Sequence, residues 1–273
     1  MNDMTCRSDG PAPFLSFSAL DETGLVRHGF SLRQGGVSKG PYESMNLSFT
    51  MGDDRENVLQ NYDRISRSIG VETHTLTSVW QAHTDKIKVV GPADLGKGVL
   101  LPKDPEEIDG MVTDLPGATL VTLHADCLPL YFLDPVRRAI GLSHSGWRGT
   151  QKAISIRTIE TMERVYGTKR EDLLAGIGPG IGRTAFEVGP EVAEAFVELL
   201  GAKRGKEVLM PLQLGTYTLD LTLANEMLLL EAGIRPERIF TADLCTFSRP
   251  DLFYSHRRDG SVRGSMAAFL SLK

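Results

Sequence analysis

Cysteine is scarce in this chain: Cys6, Cys127 and Cys245 are the only three in 273 residues, and they are widely spaced. An odd count without regular spacing excludes a disulfide-stapled scaffold and points to a reducing compartment. No apolar run approaches the roughly 18 residues that a membrane-spanning helix needs. The first thirteen residues carry Asp3, Asp9 and Pro11 and lack the basic and apolar regions of a signal peptide. The expectation is a cytoplasmic protein with no membrane partner. Dense basic blocks are missing too. With 30 Lys and Arg against 35 Asp and Glu the net charge is -5, which argues against a nucleic-acid partner. Local metal motifs of the CxxC or HExxH kind are absent. The glycine cluster Gly178-Pro179-Gly180-Ile181-Gly182 is neither a P-loop nor a dinucleotide fingerprint.

What is present is ordinary globular composition, 41% hydrophobic and 24% charged. The pattern predicts strands over residues 24–32, 118–123, 128–133, 138–144, 173–177, 238–242 and 264–270, and an extended segment over 78–90. Helices are expected over 53–70, from about 150 to 165, over 190–200 and over 221–232. Strands mixed with helices, some joined by short hairpins, predict an α/β fold, a layered sandwich with a mixed β-sheet. Residues 1–13 read as a flexible tail and 14–273 as a single catalytic domain.

Three residues stand where a metal site could form. His83 follows Gln81-Ala82, Cys127 interrupts two strands in His124-Ala125-Asp126-Cys127, and His144 ends a strand before Ser145-Gly146-Trp147-Arg148. A lone cysteine is ordinarily a small buried hydrophobe, and a lone histidine an ordinary polar residue. Convergence of two strand ends and a third extended segment would instead give a three-ligand set with an open fourth position, as in catalytic zinc. Thiolate with imidazole favours zinc, with copper the lesser possibility.

Further motifs occur in a recognisable order. They are Arg33-Gln34-Gly35-Gly36-Val37-Ser38, Asn46-Leu47-Ser48, Gly52-Asp53-Asp54, Gln81-Ala82-His83, Ala125-Asp126-Cys127-Leu128-Pro129 and His144-Ser145-Gly146-Trp147-Arg148-Gly149. Gly178-Pro179, Phe186-Glu187-Val188-Gly189, Leu219-Asp220-Leu221, Cys245-Thr246 and Arg257-Arg258-Asp259-Gly260 follow. From about residue 24 to 267 the chain resembles the YfiH-like family, formerly labelled multicopper polyphenol oxidase or laccase. That family is now described as purine nucleoside phosphorylase with adenosine deaminase and methylthioadenosine phosphorylase activity. The resemblance implies zinc on His83, Cys127 and His144, and purine nucleosides with phosphate as small-molecule partners. Three departures stand out: His124 where a small residue is usual, Thr184-Ala185 in place of a cysteine, and Arg263-Gly264 in inverted order. No function is therefore carried over to Arg263.

Phosphorolysis needs fixed cations around phosphate. Arg33, Ser38 and Arg148 are the expected substrate-binding residues, with Lys39 a weaker candidate. Deamination needs an acid/base, for which Asp126 and Asp109 are candidates, although Asp126 could instead orient a ligand histidine. The Pro-Cys-x-x-Cys deaminase hallmark is absent. Two alternatives remain: a cysteine hydrolase using Cys127 with His144 on a peptide-like cell-wall precursor, and a non-enzymatic zinc-stabilised binding module. The laccase label fits poorly. Six histidines, no two separated by one residue, cannot supply a mononuclear and a trinuclear copper centre.

Overall fold

Strands that are apolar on both faces must be covered on both faces, and that requirement organises this protein. The computed structural model describes residues 3–273. One six-stranded sheet runs β1 (Met4–Arg7), β2 (Phe14–Phe17), β3 (Val26–Ser31), β15 (Met266–Leu272), β7 (Thr119–His124), β4 (Leu76–Ser78). It is antiparallel except for the β4–β7 pair. A second runs β14 (Ile239–Thr241), β10 (Leu174–Ile177), β8 (Leu128–Asp134), β9 (Ala139–Ser145), β6 (Gly110–Thr113), β5 (Ile87–Val89), parallel only at its two outer pairs. A small antiparallel sheet, β11 (Glu187–Val188), β13 (Tyr217–Leu219) and β12 (Leu209–Pro211), stands apart. The fold is therefore α/β as expected, but the mixed sheet is two sheets.

Alternation along single strands sets the layers. Met266, Ala268, Leu270 and Leu272 of β15 pack with Tyr131, Leu133, Ile140 and Leu142 of the second sheet, forming a core between the sheets. Ala267 and Phe269 point the other way, onto Val58, Tyr62, Ile65 and Ile69 of helix α2 (Arg55–Ile69). The 4-3-4 spacing of those four residues lays them on one face of the helix. Asp54 caps its start by accepting from Glu56 N at 2.8 Å, and Gly70, at φ 81, ends it. On the far side, Leu128, Leu130 and Phe132 of β8 meet α4 (Ile154–Tyr166), α5 (Pro190–Val208) and α6 (Leu221–Glu231). Each large apolar side chain sealed in these cores contributes roughly 1.5–3 kcal/mol.

Several local expectations change in the tertiary structure. Residues 4–7, expected in a flexible tail, form β1 against β2, and Thr241 N donates to the Asp3 carboxylate at 2.9 Å. The segment 78–90 is not continuously extended: β4 and β5 belong to different sheets, and the loop between them carries His83 at φ 60. The helix after residue 146 is two helices, α3 (Trp147–Gln151) and α4, separated by Ala153 at φ 56. Thr150 pins α3, bonding Gly146 O at 3.0 Å and Asn225 Nδ2 at 3.1 Å. Helix α5 runs beyond residue 200 to Val208, past a break at Gly201. Two short helices, α1 (Ser18–Glu22) and α7 (His256–Asp259), complete the framework. Among the described residues no helix is long and apolar enough to cross a membrane.

Candidate metal centre and pocket

His83, Cys127 and His144 converge, their ligand atoms all within 4.8 Å of one another. Cys127 Sγ lies 3.8 Å from His83 Nε2, and the His83 and His144 rings are 5.0 Å apart between centroids. Among the described residues this is the one such His/Cys/carboxylate group, so the structure offers no constellation of copper centres.

Asp109 assembles the site. Its Oδ1 lies 2.8 Å from His144 Nδ1, which leaves Nε2 as the ring nitrogen that faces Cys127. Its Oδ2 accepts from Ala82 N (3.0 Å), Thr84 N (2.7 Å) and Thr84 Oγ1 (3.0 Å), clamping the backbone on both sides of His83. Lys152 Nζ holds the His83 carbonyl at 3.2 Å, which helps keep this residue in its left-handed conformation. Such a carboxylate behind a ligand histidine fixes its tautomer and raises its basicity. Burial opposes the Asp109 charge, but His144 and the Thr84 and Ala82 amides outweigh it and bring its pKa down to about 2.

The bend that presents Cys127 is built on Asp126, which sits at φ 90. Asp126 Oδ1 accepts from Thr246 Oγ1 and Oδ2 from Arg257 N, both at 2.7 Å, while its carbonyl accepts from Ile181 N at 2.8 Å. Asp126 thus positions the chain, and the role of orienting a ligand histidine falls to Asp109. His124 braces the same bend: Nδ1 lies 3.0 Å from the Cys127 carbonyl and Nε2 2.8 Å from Thr122 Oγ1. Burial and the nearby His144 hold its pKa well below the ordinary value, so the ring is neutral. Gly146 closes the floor. A Cβ there would stand 2.7 Å from Cys127 Sγ and 2.9 Å from His83 Cδ2, so no other residue fits without displacing the ligands.

Burial disfavours ionisation of Cys127, yet His144 and then His83 outweigh it and lower the thiol to about 6. Burial likewise disfavours the His144 cation, but Cys127 and Asp109 raise its pKa to about 10. The environment therefore favours the thiolate, the form in which sulfur binds metals.

The three residues open into a cavity of about 660 Å³, a size suited to a small-molecule ligand. Trp80, Trp147 and Phe186 supply aromatic walls; Lys103, Arg148, Arg257 and Arg263 supply positive charge; Asp126 is the only carboxylate in the lining. Trp80 is 52% exposed, unusual for tryptophan. Arg148 lies over the Trp147 ring at 4.2 Å. Arg33 and Ser38, expected to bind substrate, do not line this cavity. The Arg33 guanidinium donates to the carbonyls of Glu43 and Pro250 and sits 4.7 Å over the Tyr254 ring. Ser38 is buried, donating to Asp53 and accepting from Asn61. Both tie down a loop. Sequence reading missed Lys103 and Trp80, which sit in irregular segments without a pattern; it placed Arg257 in a motif without giving it a role, and it set Arg263 aside.

Comparison with known proteins completes the description. The family described as "Multi-copper polyphenol oxidoreductase laccase" matches residues 27–273. The chain belongs to this family. It is 33% identical over 247 residues to "Purine nucleoside phosphorylase YlmD" of Bacillus subtilis, covering 90% of this chain and 88% of that protein. It is 33% identical over 253 residues to the human "Purine nucleoside phosphorylase LACC1", where the match covers 90% of this chain but 55% of the longer human protein. The crystal structure of the Bacillus licheniformis hypothetical protein YfiH superposes with a TM-score of 0.92 at 32% identity, covering 98% of this chain and 99% of that one.

Proposed function

We propose that this protein is a zinc-dependent purine nucleoside phosphorylase with adenosine deaminase activity in the same pocket. One observation carries the reading: a His–Cys–His cluster opens into a cavity walled by aromatic rings and by four cationic side chains. The names of the relatives support the reaction class.

The donor set suits zinc. Zinc bonds of about 2.0 Å to imidazole and 2.3 Å to thiolate place tetrahedral neighbours about 3.6 Å apart, close to the 3.8 Å between Cys127 Sγ and His83 Nε2. His83, Cys127 and His144 would hold the ion and leave a fourth position facing the cavity. Zinc bound there supplies a Lewis acid at the edge of the substrate pocket. In phosphorolysis a phosphate oxygen forms a bond to the sugar C1′, the C1′–N9 bond breaks, and the base departs with that electron pair and takes up a proton. The aromatic walls offer stacking surfaces for a purine, and the cations Arg148, Arg257 and Arg263 offer charge to phosphate. Adenosine, inosine and methylthioadenosine are the proposed substrates. Asp126 and Asp109 are engaged in positioning, so the proton transfers of deamination fall to another group or to solvent.

Zinc-loaded protein incubated with inosine should yield hypoxanthine and ribose 1-phosphate only when phosphate is present, as followed by chromatography. Equal release of base without phosphate would establish simple hydrolysis and refute phosphorolysis.

A further inference from the structure

Three arginines of this protein clasp a carboxylate in two-point fashion, through the edge formed by Nε and Nη2. Arg170 binds Glu163 with both nitrogens at 2.8 Å, and Arg249 binds Asp251 at 2.9 and 2.7 Å. Arg258 binds Asp259 with both at 2.7 Å. The same edge of Arg263 is free. Its Nη1 donates to Gly264 O at 2.9 Å and to Ser265 Oγ at 3.0 Å, which fixes the plane of the guanidinium. Its Nε is buried and has no hydrogen-bond partner.

Arg263 is also a cation without a counter-ion. Among the described residues no carboxylate lies within ion-pair distance of it. Asp126, Cys127 and Asp259 reach it only as a longer-range field, and the Asp126 oxygens are already engaged by Thr246 and Arg257. A part-buried guanidinium in this condition is unfavourable until an anion satisfies it. Burial lowers its pKa from the ordinary arginine value, as expected for a charge removed from water. The side chain lines the same cavity as the His83, Cys127 and His144 cluster.

The other cations of the lining are less suited to a two-point grip. Arg257 Nη2 donates to the Glu187 carbonyl at 2.9 Å, Arg148 is exposed and stacked on Trp147, and Lys103 presents a point charge rather than a fork.

We infer that Arg263 is the anchor for an oxyanion in the metal-site cavity, gripping it in two-point fashion through Nε and Nη2. Resting on the phosphorolysis reading, that oxyanion is the inorganic phosphate consumed in the reaction. Arg263 binds the nucleophile, and it does so at a position where the sequence departs from the order usual in YfiH-like proteins.

Two variants test this, Arg263→Lys, which keeps a charge and most of the stem, and Arg263→Gln. Each is first shown to retain zinc content and melting temperature close to the parent. Titration of inorganic phosphate into zinc-loaded protein, followed by calorimetry without nucleoside, then reads the site directly. Both variants should bind phosphate about tenfold or more weakly than the parent, because the two charge-assisted bonds of the fork are lost and a single ammonium does not replace them. In turnover assays KM for phosphate should rise by a similar factor while KM for inosine stays within about twofold. Unchanged phosphate binding in Arg263→Lys would overturn the inference, as would a parent protein that binds no phosphate, or a loss confined to inosine. If both variants lose zinc or melt early, the inference is likewise overturned, because Arg263 is then part of the structural frame. Failure of the phosphorolysis reading is separately visible: base release becomes independent of phosphate, whereas the calorimetric comparison still decides the role of Arg263.

Discussion

Replacing Asp109 by Asn should cost the protein one of its metal ligands without changing the volume of a single side chain. The aspartate accepts four hydrogen bonds, one from His144 Nδ1 and three from the Ala82–Thr84 segment. Asparagine has one carbonyl oxygen, and its NH2 group cannot accept. If the oxygen stays on the Ala82–Thr84 side, the NH2 faces His144 Nδ1 and favours the tautomer with its proton on Nε2, which then cannot ligate. If the amide turns over, its NH2 confronts the Ala82 and Thr84 amides, and the left-handed backbone at His83 loses its clamp. Loss of a partner behind a ligand histidine typically weakens metal binding 10- to 100-fold, about 1.4–2.7 kcal/mol. Competition for zinc against a chromophoric chelator at pH 7.5 measures the change, with circular dichroism as a control for folding. Zinc affinity within twofold of the parent would show that Asp109 does not set the His144 tautomer.

Two further outcomes follow from packing and burial. Gly146→Ala should strip most of the zinc while leaving the fold intact, because its Cβ would stand 2.7 Å from Cys127 Sγ in a part of the structure that otherwise needs no methyl group; zinc content near one per chain in that variant would contradict the close approach. His28 provides a pH dependence. Burial lowers its pKa to about 4, opposed by Asp21 and assisted by Arg7 and Lys273, and its Nε2 accepts from Phe17 N at 2.8 Å, which requires the neutral ring. Its 3.6 Å approach to Asp21 does not outweigh burial. The folded pKa lies below the unfolded value of 6.5, so this stabilisation is complete above pH 6.5 and is lost as pH falls from there towards 4, by about 3 kcal/mol in all. Urea unfolding at pH 7.5, 6 and 5 should show about 2 kcal/mol of that loss by pH 5 in the parent and a shallower slope in His28→Gln; parallel slopes would rule out His28 as its source.

Much of this protein was determined by short stretches of its sequence. The apolar runs that became β8 and β9, with Asp134-Pro135 between them, leave little choice but buried paired strands, since neither face carries enough polarity to meet water. Helix α2 is specified by the spacing of Val58, Tyr62, Ile65 and Ile69 and by Asp54 and Gly70 at its ends. The candidate ligands His83, Cys127 and His144 carry no local metal motif, and it is the order of the segments around them, shared with YfiH-like proteins, that singles them out. What only the tertiary structure decided concerns partners distant in sequence. Asp109 is 35 residues from the histidine it holds, and no local pattern distinguishes it from Asp126, which immediately precedes Cys127. Arg33 looks like an anion holder beside two glycines until the fold brings the carbonyls of Glu43 and Pro250 to its guanidinium; Arg263 looks dispensable until the fold leaves its fork without a partner. Periodicity records which face of an element is buried. It carries no information about which hydrogen-bonding groups the chain, returning from far away, will already have satisfied, and that remainder is what the pocket has available for a substrate.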